Sequence, residues 1–111
     1  MNQTRSVIKL LYFLQDEVFK DKPLKWGDLI PFSTGRRDMW VFQTPCKKHY
    51  ALKAREELEK KGFRVAIFKD KEEEDLYIFT FSKRKKDLNS LIGHFNYYHY
   101  KEDKNNDWKQ H

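Results

Sequence analysis

Apolar residues recur along the chain with two periods, one typical of helices and the other of strands. Steps of three and four residues run through residues 6–20, set by Val7, Leu10, Leu11, Leu14 and Val18. Helical spacing returns from residue 88, and Asp87 stands where it can cap this last helix. Both segments are therefore predicted to be amphipathic helices that bury one face.

The central part of the chain predicts the unit around which the fold is built. Its elements are a strand at 39–43, a helix from Thr44-Pro45 to Gly62, and strands at 63–69 and 76–82. Thr44 suits the N-cap, and Gly62 suits the left-handed position after a helix. The long connection after the first strand lets that strand run parallel to a later one in the same sheet.

These elements predict an α+β fold, a ferredoxin-like sandwich with the order strand–helix–strand–strand–helix and an additional N-terminal helix. We expect a small sheet with antiparallel strands and two helices on one face. Residues 24–31 are predicted to be a loop or a short edge strand. The length of 111 residues suits a single domain. Within it we expect an N-terminal helix at 1–22, a ferredoxin-like core at 39–100 and a polar tail at 101–111.

Charge and cysteine content indicate the class of partner and the cellular compartment. Lysine and arginine number 23 against 17 acidic residues, a net charge of +6 that suits a nucleic-acid binder and also an ordinary lysine-rich surface. Cys46 is the single cysteine, which excludes an internal disulfide and favours the cytosol. There is no long apolar run and no signal-peptide pattern at the start. The chain is therefore expected to be cytoplasmic, with no membrane contact.

Aromatic residues in the last predicted strand raise the main functional question. Alternating aromatics beside basic residues are how RNA-binding sheets stack bases and hold phosphates. The candidate residues for such a site are Arg64, Tyr77, Phe79, Phe81, Lys83, Arg84, Lys85 and Lys86. Leaving three aromatics uncovered, however, forgoes about 5–9 kcal/mol of burial, as much as a typical domain's whole stability. We therefore favour a core that the helix at 6–20 covers over a stacking platform.

Catalytic and metal-binding patterns are weak. Cys46 is predicted in the first turn of a helix, where the pKa of a thiol can be lowered, and His49 is three residues further on. His94 and His99 are five residues apart, a spacing that does not align ligands on a helix. The acidic run at 70–75 lacks the spacing of a calcium loop. We expect no catalytic residue, no cofactor and no metal, with Cys46 an ordinary residue.

Three stretches resemble the RraB family, the regulators of RNase E. They are the aromatic strand at 40–42, the alanine-containing helix that ends in Gly62-Phe63-Arg64-Val65, and the closing Asn106-Asp107-Trp108. The resemblance covers residues 39–108. The tail differs from the family's, since Asn106 stands at its tyrosine position, and this chain is basic. The resemblance implies a ferredoxin-like sandwich that binds a protein and has no catalysis of its own.

Two functions follow as expectations. The first is a non-enzymatic regulatory or adaptor protein that binds another protein, with a role in RNA metabolism implied by the resemblance; a small inhibitor that blocks its partner's site is a variant of it. The alternative is an RNA-binding module that uses the sheet face and the basic cluster at 83–86. Burial of Tyr77, Phe79 and Phe81 would favour protein binding, and their exposure would favour nucleic acid.

Overall fold

Three helices and five strands make up the part of the chain that the structure, a computed structural model, describes: residues 2–32, 39–96 and 100–102. In chain order they are α1 (Asn2–Glu17), β1 (Leu29–Pro31), β2 (Met39–Cys46), α2 (Lys48–Lys60), β3 (Arg64–Asp70), β4 (Tyr77–Ser82), α3 (Lys85–Asn96) and β5 (Tyr100–Glu102). None of the helices in these ranges is long and apolar enough to cross a bilayer.

All strand pairs in the single sheet are antiparallel, and the strand order is β1-β2-β4-β3-β5. Four strands precede α3, and the three-residue β5 joins one edge. Because β2 and β3 are both antiparallel to β4, they run parallel to each other with β4 between them. This arrangement confirms the predicted parallel relation, and β1 confirms the predicted short edge strand.

The α+β class, the N-terminal helix and the order strand–helix–strand–strand–helix are confirmed. The helices are distributed differently from the expected pair of core helices on one face, since α1 and α2 pack on one side of the sheet and α3 on the other. The reason is a second apolar face of the sheet, formed by Met39, Val41, Ala66, Phe68 and Ile78. Leu88 and Leu91 of α3 bury that face, so both sides of the sheet are covered.

The core under α1 and α2 is held together by stacked rings. The Phe19 ring, just after α1, lies 4.9 Å from the ring of Phe42, which in turn lies 4.8 Å from that of Phe79. Tyr50 of α2 stacks on Phe19 at 4.9 Å. Offset ring pairs of this kind add roughly 0.5–1.5 kcal/mol beyond area burial. The stack therefore joins α1, α2 and two central strands into one core.

The predicted helix start at Thr44-Pro45 is wrong. Both residues belong to β2, whose register with β4 shifts between Phe42 and Cys46. Proline lacks the N–H that a sheet ladder needs, so an irregularity of this kind is where a strand tolerates it. The Thr44 hydroxyl donates a 2.5 Å hydrogen bond to Asp28 Oδ1 instead of capping a helix. Helix α2 begins at Lys48, with Lys47 at the N-cap.

The predicted end of that helix is confirmed at Gly62, which has a φ of +94°. The Gly62 N–H donates to the Glu59 carbonyl at 3.0 Å, and the Phe63 N–H donates to the Leu58 carbonyl at 3.1 Å. These two bonds form a Schellman motif, which uses the last helical carbonyls. The motif turns the chain sharply, so that β3 starts directly beside the end of α2.

Candidate functional site

The three aromatic residues proposed for base stacking lie inside the protein. Tyr77 is 5% exposed, and Phe79 and Phe81 are fully buried. They share one core cluster with residues of α1 and α2, which confirms that the N-terminal helix covers this face. A nucleobase cannot reach these rings unless the core opens, so the sheet face is not a stacking surface.

The cationic candidates, in contrast, are exposed at one end of the sheet. Arg64, at the start of β3, pairs in register with Ser82, at the end of β4, and Lys83 follows Ser82 directly. The Ser82 hydroxyl accepts a 3.2 Å hydrogen bond from the Arg84 N–H, which turns the chain into α3 at Lys85. The end of the β3–β4 ladder thus gathers basic side chains from β3, from the β4–α3 connection and from α3.

A groove of about 580 Å³, which we name the basic groove, crosses this end of the sheet between α2 and α3. It is lined by Arg55, Glu59, Gly62, Phe63, Arg64, Val65, Lys83, Lys85, Leu88 and Asn89. Of the residues predicted from the sequence, the groove brings together Arg64, Lys83 and Lys85. Arg84 and Lys86 do not line it, and Arg84 Nε lies 3.4 Å from Asp87 Oδ2.

Sequence reasoning did not assign the other seven lining residues to a site, Arg55 and Phe63 among them. Arg55 lies one helical turn before Glu59, and its Nε is 3.1 Å from Glu59 Oε2. Phe63 is 8% exposed, and Lys83 Nζ lies 5.2 Å from the centre of its ring. A signal in the sequence could have indicated these residues. Arg55, Glu59 and Gly62 recur at helical spacing along α2 and its end, which places one face of the helix beside the start of β3.

A second surface, the turn formed by residues 25–28, was also not predicted as a site. Trp26 at its tip is 66% exposed. The Asp28 N–H donates to the Lys25 carbonyl at 3.1 Å, and Gly27 has a φ of +100°, the combination that a tight turn with glycine at its third position requires. The signal in the sequence is Trp-Gly-Asp directly before a short strand.

Hydrogen bonds fix this turn to the strands beside it. Asp28 Oδ2 accepts from the Lys25 N–H at 2.7 Å, and Oδ1 accepts from the Thr44 hydroxyl. Gln43 Nε2 donates to the Gly27 carbonyl at 2.7 Å, and the Gln43 N–H donates to the Asp28 carbonyl at 2.9 Å. The backbone that carries Trp26 is therefore attached to β2 at several points.

The segment that leads into the turn is attached to both helices on its face of the sheet. Gln15 of α1 accepts a 2.7 Å hydrogen bond from the Leu24 N–H and donates one of 3.0 Å to the Lys22 carbonyl. The Tyr50 hydroxyl of α2 donates to Asp21 Oδ1 at 2.7 Å, a bond that lowers the pKa of the Asp21 carboxyl and raises that of Tyr50. Trp26 thus extends from a backbone that is held on both sides.

Cys46 does not have the environment of a nucleophile. It ends β2 instead of opening a helix, is 2% exposed, and its Sγ donates a 3.5 Å hydrogen bond to the Tyr77 carbonyl. Burial raises the pKa of its thiol to about 12, opposite to the lowering expected at a helix start. His49 is exposed, and its ring lies 4.1 Å from that of Tyr50.

The other residues considered for metal binding or catalysis are not brought together in the described part of the chain. Among the residues described, no three His, Cys, Asp or Glu side chains are grouped closely enough to hold a metal ion. The acidic run closes the β3–β4 hairpin, where Asp70 Oδ1 accepts from the N–H groups of Glu72 and Glu73. His99 and the closing Asn106-Asp107-Trp108 lie outside the described residues.

Comparisons with known proteins do not extend this picture. No family model matches the sequence, and no curated protein and no solved structure matches the chain. The α+β fold with its antiparallel sheet is therefore what the structure establishes, and the RraB resemblance remains a hypothesis.

Proposed function

We propose that this protein is a non-enzymatic regulatory or adaptor protein that acts by binding another protein in the cytoplasm, with a role in RNA metabolism. The observation that carries the proposal is the burial of Tyr77, Phe79 and Phe81. It leaves the sheet without a stacking surface, so a partner must bind elsewhere. Among the residues that the structure describes, Tyr12 and Trp26 are each 66% exposed, and Trp26 is the one carried by the hydrogen-bonded turn at 25–28. Tryptophan is among the residues most enriched at the energetic centres of protein interfaces.

The fixed backbone around Trp26 supports this role. Binding normally costs free energy because loops and side chains must be ordered at the interface. The turn at 25–28 is already held by hydrogen bonds to Gln43 and Thr44, so most of that cost falls on the tryptophan side chain alone. A preorganised turn with an exposed aromatic tip is suited to insert into a pocket of a partner.

Charges around the turn indicate the kind of partner. Lys20 and Lys25 are exposed beside the turn, and the carboxylates of Asp21 and Asp28 accept hydrogen bonds from groups of the chain itself. With a net charge of +6 for the whole chain, complementarity favours an apolar pocket rimmed by acidic residues. We therefore expect the partner to be an acidic protein.

Capture from the source cells with immobilised protein tests the proposal. Wild type should retain one protein at stoichiometric level, and Trp26→Ala should bind the purified partner about thirtyfold more weakly, the effect of losing roughly 2 kcal/mol at an interface centre. Glu73→Ala, an exposed change in the hairpin turn, is the control and should bind like wild type. Recovery of no stoichiometric protein would count against the whole proposal.

The alternative, nucleic-acid binding, is changed by the structure. A nucleic-acid strand cannot bind the sheet face, because α1 and α2 cover that face. The specific observation in its favour is the convergence of Arg64, Lys83 and Lys85 in the basic groove.

A further inference from the structure

The basic groove carries cations that the fold itself does not neutralise. Arg55 is balanced by Glu59 within the groove. Arg64, Lys83 and Lys85 come from β3, from the β4–α3 connection and from α3, and within the described ranges none of them forms an ion pair with a carboxylate. Three like charges facing one concavity repel each other, and a bound anion would relieve that repulsion.

The floor of the groove argues against an apolar anchor as the ligand. Phe63 and Leu88 are each 8% exposed, and Lys83 covers the Phe63 ring at 5.2 Å. That ring also forms a T-shaped contact with Phe81, at a centroid distance of 5.1 Å. The groove thus offers neither the apolar pocket that a protein's aromatic or aliphatic anchor fills nor a free ring on which a base could stack.

The position of the groove separates it from the Trp26 turn. The turn is hydrogen-bonded to Gln43, near the end of β2 that pairs with the start of β4. The groove lies where β4 ends and β3 begins. Since β2 and β4 are antiparallel neighbours, the two surfaces lie at opposite ends of the sheet, and one ligand on each can be bound at the same time.

We infer that the basic groove binds the phosphate groups of a single-stranded nucleic-acid backbone through Arg64, Lys83 and Lys85, without stacking its bases. Contacts to phosphates alone carry no sequence information, so the binding is insensitive to sequence. Lys86, exposed on the first turn of α3, extends the positive surface beyond the groove. This site is additional to the proposed protein-binding surface and does not depend on it.

The test is a titration of a short labelled oligouridylate into the full chain, followed by fluorescence anisotropy over a range of salt concentrations. Three phosphate contacts give a log–log slope of about −2, from roughly −0.7 for each contact on a single strand. Arg64→Glu combined with Lys83→Glu should make the slope shallower by about 1.4, the share of two contacts. Arg64→Gln combined with Lys83→Gln should do the same if the double reversal does not fold.

The matched control is Lys9→Glu combined with Lys47→Glu, which changes the net charge equally at exposed positions outside both the groove and the turn at 25–28. It should leave the slope unchanged. Equal losses in the groove and control variants would overturn the inference, because net charge alone would then explain the binding. Polyglutamate of matched length that binds as tightly as the oligonucleotide would also overturn it, in favour of an acidic protein segment. Trp26→Ala should bind the oligonucleotide like wild type, which separates this site from the proposed adaptor surface.

Discussion

Cys46 shows at the scale of one residue how burial decides chemistry. Its thiol lies at the end of β2 under Tyr77, where water does not stabilise a thiolate. We expect a thiol-specific reagent at mildly alkaline pH to label the native protein far more slowly than the chain unfolded in guanidinium. Native labelling as fast as that of the unfolded chain would show that the site opens readily.

The raised pKa of Cys46 also predicts a pH dependence of stability. The unfolded thiol ionises near 9.0, whereas the folded one stays protonated until about 12. Between these values the unfolded state loses its proton first, so the free energy of unfolding should fall as the pH rises from about 9 towards 12, and the contribution is fully present below 9. Cys46→Ala, compared with wild type in guanidinium titrations over this range, should show a shallower fall. Parallel pH profiles for the two proteins would contradict this.

Sequence reasoning located correctly the residues whose burial contributes a large stabilising free energy. Burial of Phe79 and Phe81 stabilises the fold by several kcal/mol, so their place in the core could be inferred from the sequence. Thr44 and Cys46 were misplaced because the choice between helix start and bulged strand depends on Asp28, sixteen residues before Thr44. Arg55 was missed as a groove residue because its neighbours are set by the turn at Gly62.

Two glycines test the elements that they belong to, and they should respond with opposite signs. A Cβ added at Gly62 or Gly93 meets no atom within 4 Å, so packing does not decide either outcome. At Gly62, with φ at +94°, Gly62→Ala should lower the free energy of unfolding by about 1–2 kcal/mol. Gly93 lies inside α3, where Gly93→Ala should raise it by about 0.5–1 kcal/mol.

Urea unfolding of both variants and wild type measures this pair. A destabilised Gly62→Ala together with a stabilised Gly93→Ala supports the Schellman end of α2 and a regular α3. If the free energy of unfolding changed with the same sign in both variants, either Gly62 would not have a left-handed backbone or Gly93 would not lie in a regular helix.

The presence and type of the three helices and of β2, β3 and β4 followed from local patterns, but the start of α2 and the side of the sheet on which α3 packs did not. Both faces of β4 are apolar, with Phe79 on one and Ile78 on the other. The alternation in the sequence therefore does not say which face a later helix takes. The face towards Phe79 is already filled by α1 and α2, so α3 covers the other.

On the scale of the whole molecule, helices cover the sheet on both sides, and the two proposed binding surfaces lie at its two ends. The Trp26 turn stands at one end and the basic groove at the other, with the core between them. Trp26, Arg64 and Lys83 are exposed and belong to neither core cluster, so substitutions at these three residues should change binding and leave folding intact. An adaptor that holds a protein at one end and a nucleic-acid strand at the other is the arrangement that both proposals together describe.

This arrangement requires α1 to be an integral part of the domain, and Leu14 tests that. Leu14 is fully buried in the cluster that contains Phe42 and Phe79, so Leu14→Ala should lower the free energy of unfolding by about 2–5 kcal/mol. Tyr12→Ala is the matched control on the same helix: Tyr12 is 66% exposed, and its loss should change stability by less than about 0.5 kcal/mol.

Urea titrations followed by far-UV circular dichroism and by tryptophan fluorescence should show one shared transition, displaced in Leu14→Ala for both signals. If Leu14→Ala shifted only the helical signal and left the fluorescence transition of the sheet in place, α1 would be a separable helix, and the aromatic face beneath it would again be open to a nucleic-acid strand.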